Sequence, residues 1–225
     1  MTKQLYLGGG GSEHDEAALW DAFLTPGQRI VLLPLALPAA RHPGARAWLS
    51  GALAARGDFH LEMWSGLEGR TVEDLQDVDV LFVSGGNTFA LLDHLQRHAF
   101  LPAMRSYVGG GGVMYGGSAG AIITGADISL AEIADANEVG VTDTTGLDLL
   151  GGLVVHPHFV PAQTAELRER AAVTGRTVLA LPERGGVVVT DDELRSVGPD
   201  TAWMIGPDDA RPYAAGESWP VPEAD

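Results

Sequence analysis

A serine flanked by glycines is the residue of this sequence best suited to chemistry. The apolar run Val113-Met114-Tyr115 stops at Gly116-Gly117-Ser118-Ala119-Gly120, which contains a Gly-x-Ser-x-Gly pattern. This pattern is typical of a nucleophile elbow, where a strand turns sharply into a helix and exposes the serine hydroxyl. It also fits a glycine-rich turn whose serine merely caps the helix. A nucleophilic serine would carry out acyl transfer, with a base, an orienting carboxylate and hydrogen-bond donors around it.

His158 is the candidate base. It follows Leu153-Val154-Val155, which is typical of a buried strand, whereas His156 is expected to point to the opposite face. The His-Pro-His segment could also bind a metal, but a hydrolytic metal site usually needs three protein ligands. We identify no third ligand, so we predict no metal and no cofactor.

Three acids lie between the serine and the histidine, and their spacing does not choose among them. They are Asp135, Glu138 and Asp143. The oxyanion donors are easier to predict. The Ala119 amide follows from the elbow itself, and the Gly86 amide is expected at the end of the preceding strand, Val80–Val83.

The strands and helices that must position these residues follow a pattern that predicts an α/β fold. Short apolar strands alternate with helices up to the elbow, which indicates a single doubly wound, mostly parallel sheet with helices on both faces. Ligands bind such sheets at the carboxyl ends of the strands, so Gly85-Gly86-Asn87 and Ser118 should share one edge. We predict one domain over residues 1–225, with an extended C-terminal tail over 207–225. The glycines at 8–11 predict a tight turn that another segment approaches closely.

Composition and charge exclude several classes of protein. The formal net charge of −16 argues against nucleic acid or an anionic membrane as a partner. The sequence contains no cysteine, which excludes disulfides and a cysteine nucleophile. We find no signal-like or membrane-spanning segment, so a cytoplasmic location is the expectation.

Several motifs together resemble one enzyme family. The segments Gly85-Gly86-Asn87-Thr88-Phe89, Gly117-Ser118-Ala119-Gly120-Ala121 and His156-Pro157-His158-Phe159 resemble the dipeptidase E (aspartyl dipeptidase) family of serine peptidases, which includes cyanophycinase. Leu181-Pro182-Glu183 is also similar to a segment of that family. The resemblance implies a fold like that of class I glutamine amidotransferases. It also implies that Ser118 is the nucleophile, His158 the base, and Gly86 with Ala119 the oxyanion donors.

The resemblance also suggests the remaining site residues. Asn137-Glu138 occupies the place of the family's Asn-Asp pair, so we predict Glu138 as the triad acid, with Asp135 as the second choice. Arg168 or Arg170 would hold the aspartate side chain of a substrate, although Glu166 and Glu169 beside them depart from the family pattern. Asn87 is assigned to substrate binding.

The predicted activity is hydrolysis of small peptides, in particular dipeptides with an N-terminal aspartate. The expected partner is a small peptide substrate, and a homodimer is left open. Two alternatives are a cyanophycinase-like hydrolase of β-Asp-Arg units and a non-catalytic binding domain on an amidotransferase-like fold. An α/β-hydrolase esterase is disfavoured because 40 residues between Ser118 and His158 leave no room for further βα units.

Overall fold

Two β-sheets and their surrounding helices form the fold in the computed structural model, which describes residues 3–191 and 193–222. The α-helices are α1 (Ala17–Trp20), α2 (His42–Ala54), α3 (Thr88–Arg97), α4 (Leu101–Gly109), α5 (Ala119–Ile122) and α6 (Thr164–Thr174). The strands are β1 (Gln4–Gly8), β2 (Arg29–Leu33), β3 (His60–Met63), β4 (Val80–Val83), β5 (Val113–Gly117), β6 (Val154–His156), β7 (Val178–Ala180), β8 (Gly186–Val189), β9 (Glu193–Val197), β10 (Ala202–Ile205), β11 (Ala210–Tyr213) and β12 (Ser218–Pro220).

The larger sheet has eight strands in the order β12-β9-β8-β1-β5-β4-β2-β3. The five strands from β1 to β3 in that order are parallel, and β8, β9 and β12 extend the sheet in antiparallel pairs. The predicted α/β class and large, mostly parallel sheet are therefore confirmed. Val83 of β4 lies beside Gly116 of β5, so the loops that follow these strands meet at one edge.

Helices cover both faces of this sheet because its strands are apolar at successive positions. On β1, Leu5 and Leu7 pack into a cluster with residues of α3, α4 and α5, whereas Tyr6 packs on the opposite face with residues of α1 and α2. No helix within the described ranges is long and apolar enough to cross a membrane.

The prediction of a single sheet is wrong, since four strands form a second one in the order β11-β10-β7-β6. Strands β6 and β7 are parallel in it, with His156 beside Ala180. This sheet has its own apolar cluster, which includes Phe159 and the α6 residues Leu167 and Ala171. A separate cluster accounts for the second sheet, because short strands need their own apolar face to pack.

The C-terminal segment and Trp48 also differ from expectation. Residues 210–213 and 218–220 form β11 and β12 instead of an extended tail; residues 223–225 lie outside the described residues. Tyr213 and Trp219 anchor these strands by stacking with ring centroids 3.9 Å apart. Pro212 and Pro220 fit there because edge strands tolerate proline. The helical spacing of Trp48 with the apolar residues Leu49, Ala52 and Leu53 predicts that its side chain packs in the core. The structure differs: Trp48 is 41% exposed, and its indole N–H donates to Glu13.

Candidate active site

Ser118 lies at a sharp turn between β5 and α5, as the sequence predicts. Its φ of 52° and ψ of −112° are unusual for a residue other than glycine. A side chain at Gly116 would overlap the backbone of Gly120, and one at Gly120 would overlap the carbonyl of Val83. The two glycines of the pattern therefore allow the strand, the turn and the helix to pack closely.

His158 reaches the serine from the loop after β6. Its Nε2 lies 3.0 Å from Oγ of Ser118, a distance at which the hydroxyl can donate to the imidazole. His158 also has a positive φ, 54°, and its backbone N–H donates to the carbonyl of Gly9. The backbone contact fixes the turn that aims the ring at Ser118.

The carboxylate next to the imidazole belongs to Glu183. Its Oε1 lies 2.8 Å from Nδ1 of His158, so Ser118, His158 and Glu183 form a continuous chain of hydrogen bonds. Glu183 follows β7, and β7 runs parallel to β6, so the loops after both strands reach the same edge of the second sheet. The parallel pairing explains how residues 25 positions apart in the chain meet.

The prediction that Glu138 contacts His158 is corrected by this geometry. Glu138 lies exposed in a turn after the short helical segment Ser129–Ile133. Asp135, the second choice, accepts a hydrogen bond at 2.8 Å from the backbone N–H of Thr88 at the start of α3. Glu183 escapes the sequence-based prediction because it follows the histidine, whereas the acid is expected between Ser118 and His158. Leu181-Pro182-Glu183 follows an apolar strand, just as the His-Pro-His segment does, but the sequence does not show that these two strands pair.

The backbone of the glycines at 8–11 packs against the loops that carry Ser118, His158 and Glu183. The carbonyl of Gly8 accepts from the Ser118 N–H at 3.2 Å, and that of Gly9 accepts from the His158 N–H at 2.8 Å. A side chain at Gly10 would overlap the imidazole of His158, and one at Gly11 would overlap the carbonyl of Glu183. The prediction that another segment approaches these glycines closely is met by the loops that carry His158 and Glu183.

A buried carboxylate anchors this glycine segment. Glu16 is 1% exposed and accepts hydrogen bonds from the Gly10 N–H at 2.8 Å, the Tyr115 hydroxyl at 2.6 Å and the Trp20 indole at 3.3 Å. Burial raises the pKa of Glu16, and these donors offset part of the effect. Nothing in the sequence distinguishes Glu16 from the neighbouring surface acids Glu13 and Asp15.

The two predicted oxyanion donors are close to the serine. Gly86 lines the same pocket as Ser118, and Ala119 is the first residue of α5. A first-turn amide has no acceptor within its own helix, so the Ala119 N–H has no intrahelical partner. Gly86 has a φ of 141°, and a side chain there would overlap the carbonyl of Ala36.

The predicted substrate-binding side chains bind other parts of the protein. The side-chain oxygen Oδ1 of Asn87 accepts from the Ala90 N–H, so Asn87 caps α3, and its side-chain Nδ2 donates to the carbonyl of Ala136. Arg168 donates to the carbonyls of Pro207 and Asp208, and Arg170 forms an ion pair with Glu132. The structure therefore brings neither guanidinium to Ser118.

The described residues give no support to a metal at the His-Pro-His segment. They contain no group of three or more histidine, aspartate or glutamate side chains arranged to hold an ion. His158 instead contacts Ser118 and Glu183. The arrangement at this edge is that of a nucleophile, a base and an orienting carboxylate.

Comparison with known proteins supports this interpretation. Residues 7–197 match the sequence model of Peptidase family S51. Peptidase E of Salmonella arizonae is 30% identical over 146 residues, which is 60% of this chain and 62% of that protein. Peptidase E of Citrobacter koseri is 31% identical over 158 residues, or 64% of this chain and 67% of that protein. The match thus spans about three fifths to two thirds of these relatives' length.

Solved structures share the fold. A Listeria monocytogenes EGD-e protein provisionally designated peptidase E superposes with a TM-score of 0.71 at 22% identity, over 89% of this chain and 100% of that one. A peptidase from an acI-B1 actinobacterium gives a TM-score of 0.74 at 19% identity, over 98% of this chain and 97% of that one.

Proposed function

The chain belongs to peptidase family S51, and on that basis we propose that it is a serine peptidase that hydrolyses small peptides. The observation that carries the proposal is the hydrogen-bonded chain from Ser118 through His158 to Glu183, with distances of 3.0 Å and 2.8 Å. A serine that merely capped a helix would not need an imidazole aimed at its hydroxyl.

In the proposed mechanism, Oγ of Ser118 attacks the carbonyl carbon of the scissile bond while Nε2 of His158 takes its proton. The amides of Gly86 and Ala119 donate to the oxyanion. His158 then gives the proton to the leaving amine, and water attacks the acyl-enzyme by the same route in reverse. Glu183 accepts from the Nδ1–H, which fixes the imidazole tautomer and stabilises the imidazolium. No step requires a cofactor.

The proposed activity is not restricted to aspartyl peptides. A preference for aspartate would need a cation near Ser118 for the substrate carboxylate, and the guanidinium groups of Arg168 and Arg170 are bound elsewhere. The proposal therefore covers small peptides as a class.

The test compares wild type with Ser118→Ala on a library of dipeptides and tripeptides. Ser118→Ala should lower kcat by roughly 10⁴-fold or more while the thermal unfolding curve stays cooperative. A fluorophosphonate without a side chain should label wild type at Ser118 and leave the variant unlabelled. Retained turnover in the variant would reject the nucleophile. A folded wild type that neither reacts with the phosphonate nor cleaves any peptide would instead indicate a binding domain.

A further inference from the structure

The pocket beside the catalytic serine is lined mainly by apolar side chains. It has a volume of about 450 Å³ and includes Ser118 and His158 at one side. Its walls are formed by the helix after the serine and by the segment around Ser129–Ile133, and they include Ile122, Leu130, Ala131, Ile133 and Ala134. Apolar walls favour an apolar side chain, because its methylene groups are removed from water when it binds.

No positively charged side chain among the described residues lines this pocket. Its polar members besides the catalytic pair are His156, Asp135 and Gln163. An anionic side chain in the pocket would lose its hydration without gaining a counter-charge, which is a severe penalty in an apolar site. Asp135 would add repulsion.

His156 does not supply the missing charge. It is 6% exposed, and burial lowers its pKa, so its ring is neutral near pH 7. The groups that act on it are Gln163, Glu166 and His158, and the first two favour its protonation less than burial opposes it. The pocket therefore stays uncharged at this wall.

Asp135 provides the complementary feature for a free amino terminus. One of its oxygens, Oδ2, accepts from the Thr88 N–H at 2.8 Å, and the residue lines the same pocket as Ser118. The helix start therefore fixes the carboxylate in place. A fixed carboxylate beside an apolar pocket suits a residue with an ammonium group and an uncharged side chain.

We propose that this pocket binds the N-terminal residue of the substrate, on the acyl side of the scissile bond, and selects uncharged side chains over aspartate and glutamate. Asp135 holds the α-ammonium, and Ile122, Leu130 and Ile133 contact the side chain. This inference rests on the proposed peptidase function and specifies its substrates.

The first experiment measures kcat/KM for dipeptides X-Leu, with X as Leu, Met, Asn and Asp, and for Leu-X with the same four residues. Asn and Asp have the same shape, so this pair isolates the charge. We expect Asn-Leu to exceed Asp-Leu by at least about 30-fold and Leu-Leu to exceed both. A preference for Asp-Leu, or discrimination only in the Leu-X series, overturns the inference.

The second experiment places a cation in the pocket. Ile133→Arg should raise the ratio of Asp-Leu to Asn-Leu turnover by at least about tenfold, because it supplies the missing counter-charge. Val173→Arg is the matched control, since Val173 is 85% exposed on α6 and does not line the pocket. Ala134→Arg, at an exposed position of the same wall, repeats the test if Ile133→Arg does not fold. Unchanged ratios in folded pocket variants overturn the inference.

The third experiment tests the ammonium site. Asp135→Asn keeps an oxygen for the Thr88 N–H but removes the charge. It should lower kcat/KM for Leu-Leu about tenfold and leave the slower cleavage of N-acetyl-Leu-Leu unchanged. Equal losses for both peptides, or wild-type cleavage of the acetylated peptide at the same rate as the free one, contradict the role of Asp135.

Failure of this inference can be separated from failure of the proposed function. A fluorophosphonate without a side chain reports on Ser118 whatever the pocket prefers. Labelling together with a preference for Asp-Leu rejects the specificity alone, whereas an unlabelled, folded and inactive wild type rejects the peptidase function.

Discussion

The Glu183 carboxylate holds His158 from a largely solvent-exposed position, with 61% of its side chain accessible. Loss of a buried triad carboxylate costs about 10⁴ in kcat, and water should reduce that effect here. We expect Glu183→Gln to lower kcat roughly 10²- to 10³-fold. Glu138→Gln makes the same chemical change at an exposed turn and should leave kcat within about twofold.

Steady-state kinetics on one good dipeptide measure both variants, with unfolding curves to show that each is folded. If Glu138→Gln is the damaging change and Glu183→Gln is not, the orienting carboxylate has been assigned to the wrong residue.

Gly10 controls the position of the His158 imidazole. Gly10 and Gly27 have nearly identical φ values, 96° and 95°, but a methyl group at Gly10 would overlap His158, whereas one at Gly27 meets nothing within 4 Å. Both Gly→Ala changes should therefore cost about 1–2 kcal/mol of backbone strain. Only Gly10→Ala should also lower kcat, by about 10²-fold, because it displaces the ring. Equal kcat values for the two variants would show that the ring does not depend on this contact.

At the scale of elements, Glu16 connects the start of α1 to the glycine segment at 8–11. Glu16→Ala removes the acceptor for the Gly10 N–H, the Tyr115 hydroxyl and the Trp20 indole N–H, so three donors lose their partner, the latter two of them buried. Each unsatisfied donor costs about 1–3 kcal/mol. We expect Glu16→Ala to destabilise the fold by several kcal/mol and to lower kcat through the loosened glycine segment. Glu16→Gln, which keeps one oxygen, should be milder in both respects.

Because the pKa of Glu16 is raised, the difference in stability between wild type and Glu16→Gln should depend on pH. The folded protein binds the Glu16 proton more tightly than the unfolded chain, whose pKa is near 4.5. Protonation of Glu16 therefore stabilises the fold most below pH 4.5, and this stabilisation falls as pH rises through the raised pKa. Glu16→Gln cannot titrate, so it should gain stability relative to wild type as pH rises from 4.5 towards neutrality. Urea unfolding at several pH values measures this, and a constant difference would contradict it.

Elements with a local signal were predictable, and long-range pairings were not. The strands before Gly85 and Ser118 are short, apolar and end at glycines, so both their existence and their shared edge follow from the sequence. The pairing of β6 with β7 in a separate sheet depends on a distant cluster around Leu167 that no local pattern reveals. Without that pairing, Glu183 could not be chosen over Glu138. The burial of Glu16 was equally hidden, because its partner Gly10 lies in the loop after β1 and its partner Tyr115 lies in β5.

At the scale of the whole molecule, the net charge of −16 should oppose the approach of acidic peptides. Raising NaCl from about 20 mM to about 300 mM should increase kcat/KM for Asp-Leu severalfold, because salt screens exposed charges. Asn-Leu should change less. The salt should not abolish the preference for Asn-Leu, since the apolar pocket is screened far less than the surface. A salt effect of equal size on both peptides would show that the negative charge of the protein does not hinder the approach of the acidic one.

The backbone at the nucleophile carries a further consequence. Ser118 and His158, whose side chains meet, both adopt positive φ values that residues other than glycine generally avoid. Such a conformation costs about 1–2 kcal/mol for a residue with a side chain. The backbone is therefore strained at both residues, and glycine at position 118 would relieve the strain there. Ser118→Gly should unfold at a higher temperature than Ser118→Ala, although neither has a hydroxyl to act as nucleophile. The difference between the two unfolding temperatures measures the stability lost by having a side chain at this position.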